Sequence, residues 1–208
     1  MNYKTVTSIL DVEPLVSDCD VILFDMDDTV YSEKENVRCG IRTLTEYVGD
    51  PTLYDEMWNA YMAKESYIKT VLEKRGIYTE ERYKEWLHVF RFAPSDITPY
   101  DGFTDMLDRL KKSGKRLGMI TDGRVQSQEK KLAGLGISHY FEKIIITDSL
   151  GVENRKPCTL AFEIMHDFYG TPYEKMVYIG DNLKKDMQPA LTLGMKFIHF
   201  DNEDGIYR

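Results

Sequence analysis

The chain has few cysteines, no excess of positive charge and no long apolar run, and each lack closes off a class of function. Its three cysteines, Cys19, Cys39 and Cys158, stand far apart with no C-x₂-C spacing. An odd, scattered set argues for reduced thiols rather than a disulfide framework or a zinc site. Lys and Arg number 27 against 35 Asp and Glu, a formal charge of −8. Proteins that track a nucleic-acid backbone need basic patches, so no nucleic-acid polymer is expected as a partner. No apolar stretch approaches the length of a membrane span, and residues 1–20 carry no signal-peptide core. The expectation is a soluble cytoplasmic protein without a membrane partner. Internal repeats and low-complexity linkers are absent too. The 208 residues, 42% apolar, suffice for one good core plus a small accessory domain.

What is present concentrates in Val21-Ile22-Leu23-Phe24-Asp25-Met26-Asp27-Asp28-Thr29-Val30. Four apolar residues run directly into three carboxylates. Such a run reads as a buried strand of parallel type, and open α/β sheets build their sites at the carboxyl ends of such strands. Like charges this close repel and raise one another's pKa. They are accommodated either as a solvated acidic turn or by a cation, and Mg²⁺ suits carboxylate and phosphate oxygens.

From about Glu33 to Phe92 the periodicity is helical throughout. Tyr54, Trp58, Tyr61 and Met62 fall at i, i+4, i+7 and i+8, predicting one helical packing face. Ile68, Val71 and Leu72 continue an apolar stripe that Gly76 ends, and Tyr83, Trp86, Leu87 and Phe90 form another. These aromatic stripes read as packing. After Pro94 and Pro99 the pattern alternates. Helices are predicted over 103–112, 125–135 and 183–193, strands over 116–121, 143–147, 176–180 and 196–200, and a further helix to Tyr169 with Pro157 in its first turn. This predicts an α/β fold, a doubly wound parallel sheet, over residues 1–32 and 95–208. An all-helical domain would be inserted at 33–94, with hinges near Ser32–Asn36 and Ala93–Ile97.

Each predicted strand end carries a polar signal. Asp25-x-Asp27-x-Thr29 follows the first, Thr121-Asp122-Gly123 the second, Lys156-Pro157 lies beyond the third, and Gly180-Asp181-x₄-Asp186 follows the fourth. A doubly wound sheet converges them on one crevice. Together they supply carboxylates for a metal, a hydroxyl, backbone N–H donors and a lysine, an inventory suited to a phosphoryl group. This ordered set, with its helical insertion, resembles the haloacid dehalogenase superfamily of phosphohydrolases over nearly the whole chain.

The resemblance implies a Rossmann-like core, an all-helical cap and Mg²⁺-dependent hydrolysis of a small phosphorylated metabolite through an aspartyl-phosphate. It makes Asp25 the nucleophile and Asp27 the general acid that later activates water. Lys156 would neutralise charge between two anions. Thr121, Asp122 and Gly123 would bind the phosphoryl group, although Asp122 stands where many relatives have Asn. The metal ligands would be Asp25, the Asp27 main-chain carbonyl and Asp181, supported by Asp186 and Asn182. The start of the chain's first motif, with Tyr31, resembles the pyrimidine nucleotidase and phosphoglycolate phosphatase branches.

Other side chains read as bystanders. Asp28 reads as a solvated or hydrogen-bonding loop residue, Lys184 and Lys185 as a solvated helix face, and His88, His139, His166 and His199 as structural or surface residues. Two alternatives remain at this level: a phosphomutase, which shares the aspartyl-phosphate, and a phospho-aspartate signalling module of receiver type. A phosphatase-like binding protein without activity would need a defect that the sequence does not display.

Overall fold

Six strands form one parallel sheet: β1 (Lys4–Val6), β2 (Val21–Phe24), β3 (Arg116–Thr121), β4 (Lys143–Ile146), β5 (Met176–Gly180) and β6 (Lys196–Phe200). Their order across the sheet is β1-β6-β5-β2-β3-β4. In this computed structural model, which describes residues 3–205, β2 lies between β3 and β5 with Phe24 level with Met119 and Ile179. All four β2 side chains are fully buried. At about 1.5–3 kcal/mol per buried large apolar side chain, this strand is anchored by several such increments. The residue that follows it, Asp25, therefore starts from a rigid point.

Alternate side chains of a strand leave on opposite faces of the sheet. Leu23 joins Ala161, Phe162 and Met165 of α7 (Leu160–Tyr169) in one apolar cluster. Phe24 meets Phe103 of α5 (Phe103–Lys112) edge-on at 5.5 Å between ring centroids. Helices thus cover both faces, as the βα alternation predicts. α6 (Val125–Leu135) and α8 (Gln188–Thr192) complete the set, and among the described residues no helix is long and apolar enough to cross a membrane.

Four local features depart from the sequence expectation. Strand β1 has no counterpart in it: only Val6 of its three residues is buried, too little pattern to read. Strand β4 ends at Ile146, and Thr147 already opens a 3₁₀ turn. Pro157 is not in the first turn of α7, which begins at Leu160; it follows Lys156 through a cis peptide bond. The helix expected over 183–193 is two pieces, a π turn at Leu183–Met187 and then α8. Asn182 opens the π turn by accepting from the N–H groups of Lys184 and Lys185.

Contacts divide the chain into two units, one running up to Glu33 and again from Thr98, the other Lys34–Ile97. The second is built from α1 (Glu33–Val48), α2 (Thr52–Met62), α3 (Tyr67–Lys74) and α4 (Glu80–Phe92). It has its own core of Val37, Ile41, Leu44, Leu53, Met57, Ile68, Val71, Leu72 and Trp86. The buried face of α2 is Leu53, Met57 and Ala60, one residue before the predicted one. Tyr54, Trp58 and Tyr61 flank that core half-buried, and Met62 is exposed. The two series share one helical period, and the aromatics, with polar tips, take its edge; the Arg38 guanidinium lies 4.6 Å over the Trp58 ring.

Candidate active site

The end of β2 meets the end of β5 and the π turn. Asp25 is buried, and its Oδ1 accepts from Lys156 Nζ at 2.7 Å. The same ammonium donates to Asp186 Oδ1 at 2.7 Å and to the Tyr178 hydroxyl at 2.9 Å. All three of its hydrogens are used. Lys156 is itself placed from its backbone, whose N–H donates to Asp122 Oδ1 at 3.0 Å. Asp186 is fully buried and also accepts from the Asn182 N–H at 3.0 Å. A β carbon at Gly180 would lie 2.3 Å from Asp186 Oδ2, so only glycine lets this carboxylate reach its place.

Carboxylate oxygens of Asp25, Asp181 and Asp186 all lie within 4.8 Å of one another. Burial foremost, then repulsion from neighbouring carboxylates, pushes the Asp25 and Asp181 carboxyls far above the usual range, against the pull of Lys156. One ammonium does not balance three carboxylates. The donor set is all oxygen, hard and anionic, which fits a Mg²⁺-type cation. Asp186, expected as support, accepts from Lys156 as that reading implies and also stands within the cluster. The Asp181 carbonyl is held by His199, whose Nε2 carries the hydrogen because a carbonyl only accepts, at 3.0 Å. His199 thus takes part in shaping the site.

Asp27, assigned to the metal through its main-chain carbonyl, has its carboxylate engaged elsewhere. It accepts from the Tyr31 hydroxyl at 2.6 Å, from Lys131 Nζ at 2.7 Å and from Gln128 Nε2 at 2.9 Å. Burial alone would raise its pKa, but the Lys131 charge and these donors outweigh burial and hold it below the usual value. Lys131 also lies 3.8 Å from Glu33, whose carboxyl burial and the Asp27 charge push up to about 7. Asp28 is buried: its Oδ1 accepts from the Glu33 N–H at 2.9 Å and its carbonyl from Asn202. The hydrogen-bonding reading of Asp28 holds, and the solvated one does not.

At the end of β3, Thr121 is fully buried, and its hydroxyl accepts from Gln128 Nε2 at 2.6 Å. Asp122 accepts from the Thr147 hydroxyl and from Lys185 Nζ besides Lys156. It organises the loop that delivers Lys156. A β carbon on Gly123, with φ +139°, would sit 3.1 Å from the Gln128 side chain. A cavity of about 250 Å³ gathers these groups. Asp25, Asp27, Asp122, Gly123, Asp181, Asn182, Asp186 and Lys156 line it, and Thr121 does not. Arg124, Arg155 and Lys185 add positive charge to its wall. Lys185, expected on a solvated face, lines the cavity as well, with its side chain 41% exposed.

Sequence reasoning missed Tyr31's bond, Glu33, Gln128, Lys131 and Tyr178. Gln128, Lys131, Leu132 and Leu135 are the buried residues of α6. A polar residue at i and i+3 of an otherwise apolar stripe is a readable signal of an inward-facing polar pair.

The chain matches the haloacid dehalogenase-like hydrolase family over residues 22–200. It is 31% identical over 189 residues to a glyceraldehyde 3-phosphate phosphatase of Methanocaldococcus jannaschii, covering 84% of this chain and 81% of that protein. It is 28% identical over 188 residues to a phosphoglycolate phosphatase of Nitrosococcus oceani, covering 86% and 82%. The fold is similar to that of a HAD-hydrolase of Bacillus subtilis solved bound to magnesium, with a TM-score of 0.67 at 20% identity over 86% of this chain and 85% of that one. With the family matching most of the chain and a relative at 31% identity across most of both chains, this protein belongs to the haloacid dehalogenase-like hydrolases.

Proposed function

We propose that the chain is a Mg²⁺-dependent phosphatase that hydrolyses a small phosphomonoester through a covalent aspartyl-phosphate on Asp25. The observation that carries this reading is the buried group of Asp25, Asp181, Asp186 and Lys156 at one end of a cavity of about 250 Å³. Asp25, Asp181 and Asp186 would hold the cation. When bound, it supplies positive charge that offsets the approach of a phosphate dianion to a carboxylate.

In the first half-reaction a carboxylate oxygen of Asp25 forms a bond to phosphorus, and the bond from phosphorus to the ester oxygen breaks in line. The departing oxygen takes the proton carried by Asp27. In the second, the Asp27 carboxylate takes a proton from water. That water's oxygen bonds to phosphorus, and Asp25 leaves as carboxylate with release of inorganic phosphate. The three donors on Asp27 suit its ionised, base form. An incoming phosphate dianion, a like charge nearby, raises its pKa and equips it for the acid step. The Gly123 N–H would hold a phosphoryl oxygen, and Thr121, buried just behind the cavity wall, would turn its own hydroxyl hydrogen toward another. Lys156 keeps Asp25 and Asp186 in place with one hydrogen each and spends its third on Tyr178.

The relatives' names favour substrates of two or three carbons, such as phosphoglycolate or glyceraldehyde 3-phosphate. The unit Lys34–Ile97, inserted in the chain shortly after Asp25, serves as the substrate-selecting cap in this reading. Membership in a hydrolase family sets the receiver-type module aside. The test is release of inorganic phosphate from p-nitrophenyl phosphate and from a panel of short phosphorylated acids, aldehydes, sugars and nucleotides. Turnover should depend on added Mg²⁺ and vanish with chelator, and substitutions within 34–97 should reorder the panel more than they change turnover of the aryl ester. Activity that survives exhaustive chelation would remove the metal. Transfer of phosphate between positions of one sugar, without release, would make it a phosphomutase.

A further inference from the structure

Gln128 is one of the few buried polar residues of the molecule, and no role in the reaction has been given to it. It sits near the start of α6 at 2% exposure. One hydrogen of its amide nitrogen goes to Asp27 Oδ2 at 2.9 Å, the other to Thr121 Oγ1 at 2.6 Å. The amide orientation is fixed by chemistry: an ionised carboxylate only accepts, so the NH₂ must face Asp27. Both hydrogens are then spent. The Thr121 oxygen is an acceptor here, which leaves its own hydrogen to be given to a third group. Gly123 completes the arrangement, because a β carbon there would come within 3.1–3.3 Å of three Gln128 side-chain atoms.

We propose that Gln128 is a positioning residue that ties Asp27 to Thr121, so that the proton-transfer carboxylate and the phosphate-binding hydroxyl are oriented as one unit. This rests on the phosphatase reading above and goes beyond it. Two groups with separate tasks, one on the leaving oxygen or the water and one on a phosphoryl oxygen, share a single neutral amide. The amide adds no charge, so its removal disturbs orientation while leaving the net charge of the site unchanged. A positioning error of about 1 Å costs on the order of 10²-fold in rate, and a hydrogen bond to a charged group alone is worth about ten- to a hundred-fold.

The experiment is a pair of double-mutant cycles around Gln128→Met, which keeps length and neutrality but removes both donors. With a small alkyl phosphate, kcat should fall about ten- to a hundred-fold, and the inhibition constant of inorganic phosphate should rise. The fall in kcat should be shared with Asp27→Asn, and the weakened phosphate binding with Thr121→Val: each double variant should lose much less than the product of its single losses. A merely structural role would give losses that multiply. If Gln128→Met does not fold, Gln128→Asn, one methylene too short to reach both partners, carries the same cycles. Turnover within twofold of the unmodified chain, or losses that multiply in both cycles, overturns the proposal. If the unmodified chain releases phosphate from no phosphomonoester, the phosphatase reading falls and takes this proposal with it.

Discussion

Replacing Lys156 by Met removes one charge and three hydrogen-bond donors while keeping the length of the side chain. In the native protein that ammonium, 3% exposed, bridges Asp25, Asp186 and Tyr178. Tyr178 is not orphaned by the change, because its hydroxyl still donates to the Ile120 carbonyl at 3.0 Å. The cost falls on two buried carboxylates that lose their cation. Removing one partner of a buried ion pair costs about 3–5 kcal/mol. For a chain of this size each kcal/mol moves the melting temperature by roughly 2–4 °C, so a fall of roughly 6–20 °C is expected. The sign of the pH effect follows. Without Lys156 the native carboxylates hold protons that the unfolded chain releases, so the variant loses stability as pH rises. The deficit should be larger at about pH 8 than at about pH 5.5. Mg²⁺ restores positive charge among the same oxygens and should recover part of it. Thermal unfolding followed by circular dichroism, at both pH values with and without Mg²⁺, reads all of this. A variant melting within about 2 °C of the unmodified chain at the higher pH, metal-free, would refute the claim that Lys156 holds this cluster together.

Asp25→Asn should abolish covalent labelling by phosphate donors, and near-normal turnover after that substitution would sink the nucleophile assignment. Asp27→Asn should still be phosphorylated by an ester with a good leaving group and then hydrolyse roughly 10²–10⁴-fold more slowly, accumulating a trapped intermediate visible by mass spectrometry. Glu33, raised from 4.5 to about 7, binds a proton in the native state that the unfolded chain gives up, so its contribution is fully present below about pH 4.5 and lost as pH rises to about 7. Glu33→Gln should flatten that part of the stability profile by on the order of 1–3 kcal/mol in urea unfolding, and an unchanged slope would mean that Glu33 is not perturbed.

The sheet and its site-bearing loops were legible because their signals are local. Val21–Phe24 is apolar and followed at once by acid, and Thr121 and Asp181 sit at or just past strand ends that periodicity alone can find, while Lys156 stands further on, in the loop beyond β4. What escaped is what depends on three dimensions. The burial of α2 shifted by one residue because Leu53/Met57 and Tyr54/Trp58 have the same spacing, and only packing chooses between them. Asp186 entered the carboxylate cluster because the turn from Leu183 to Met187 is wider than an α turn, a geometry without a residue signature. Lys131 looks in sequence like half of a Lys130–Lys131 surface pair, although it is buried against Asp27.

The strand order has a consequence for the birth of the protein. Asp25 is synthesised well before the neighbours that make its charge tolerable: Lys156, then β5 at its side, then Asp181 and Asp186. A growing chain carrying β2, the helical insertion and β3 holds the proposed nucleophile with neither its lysine nor its fellow carboxylates. Such a chain cannot bind the metal through the full set or take phosphate onto Asp25 in the manner proposed. The carboxylate cluster is complete only once residue 186 has left the ribosome and β5 pairs with β2, so the cluster and the middle of the sheet depend on the same late stretch of chain.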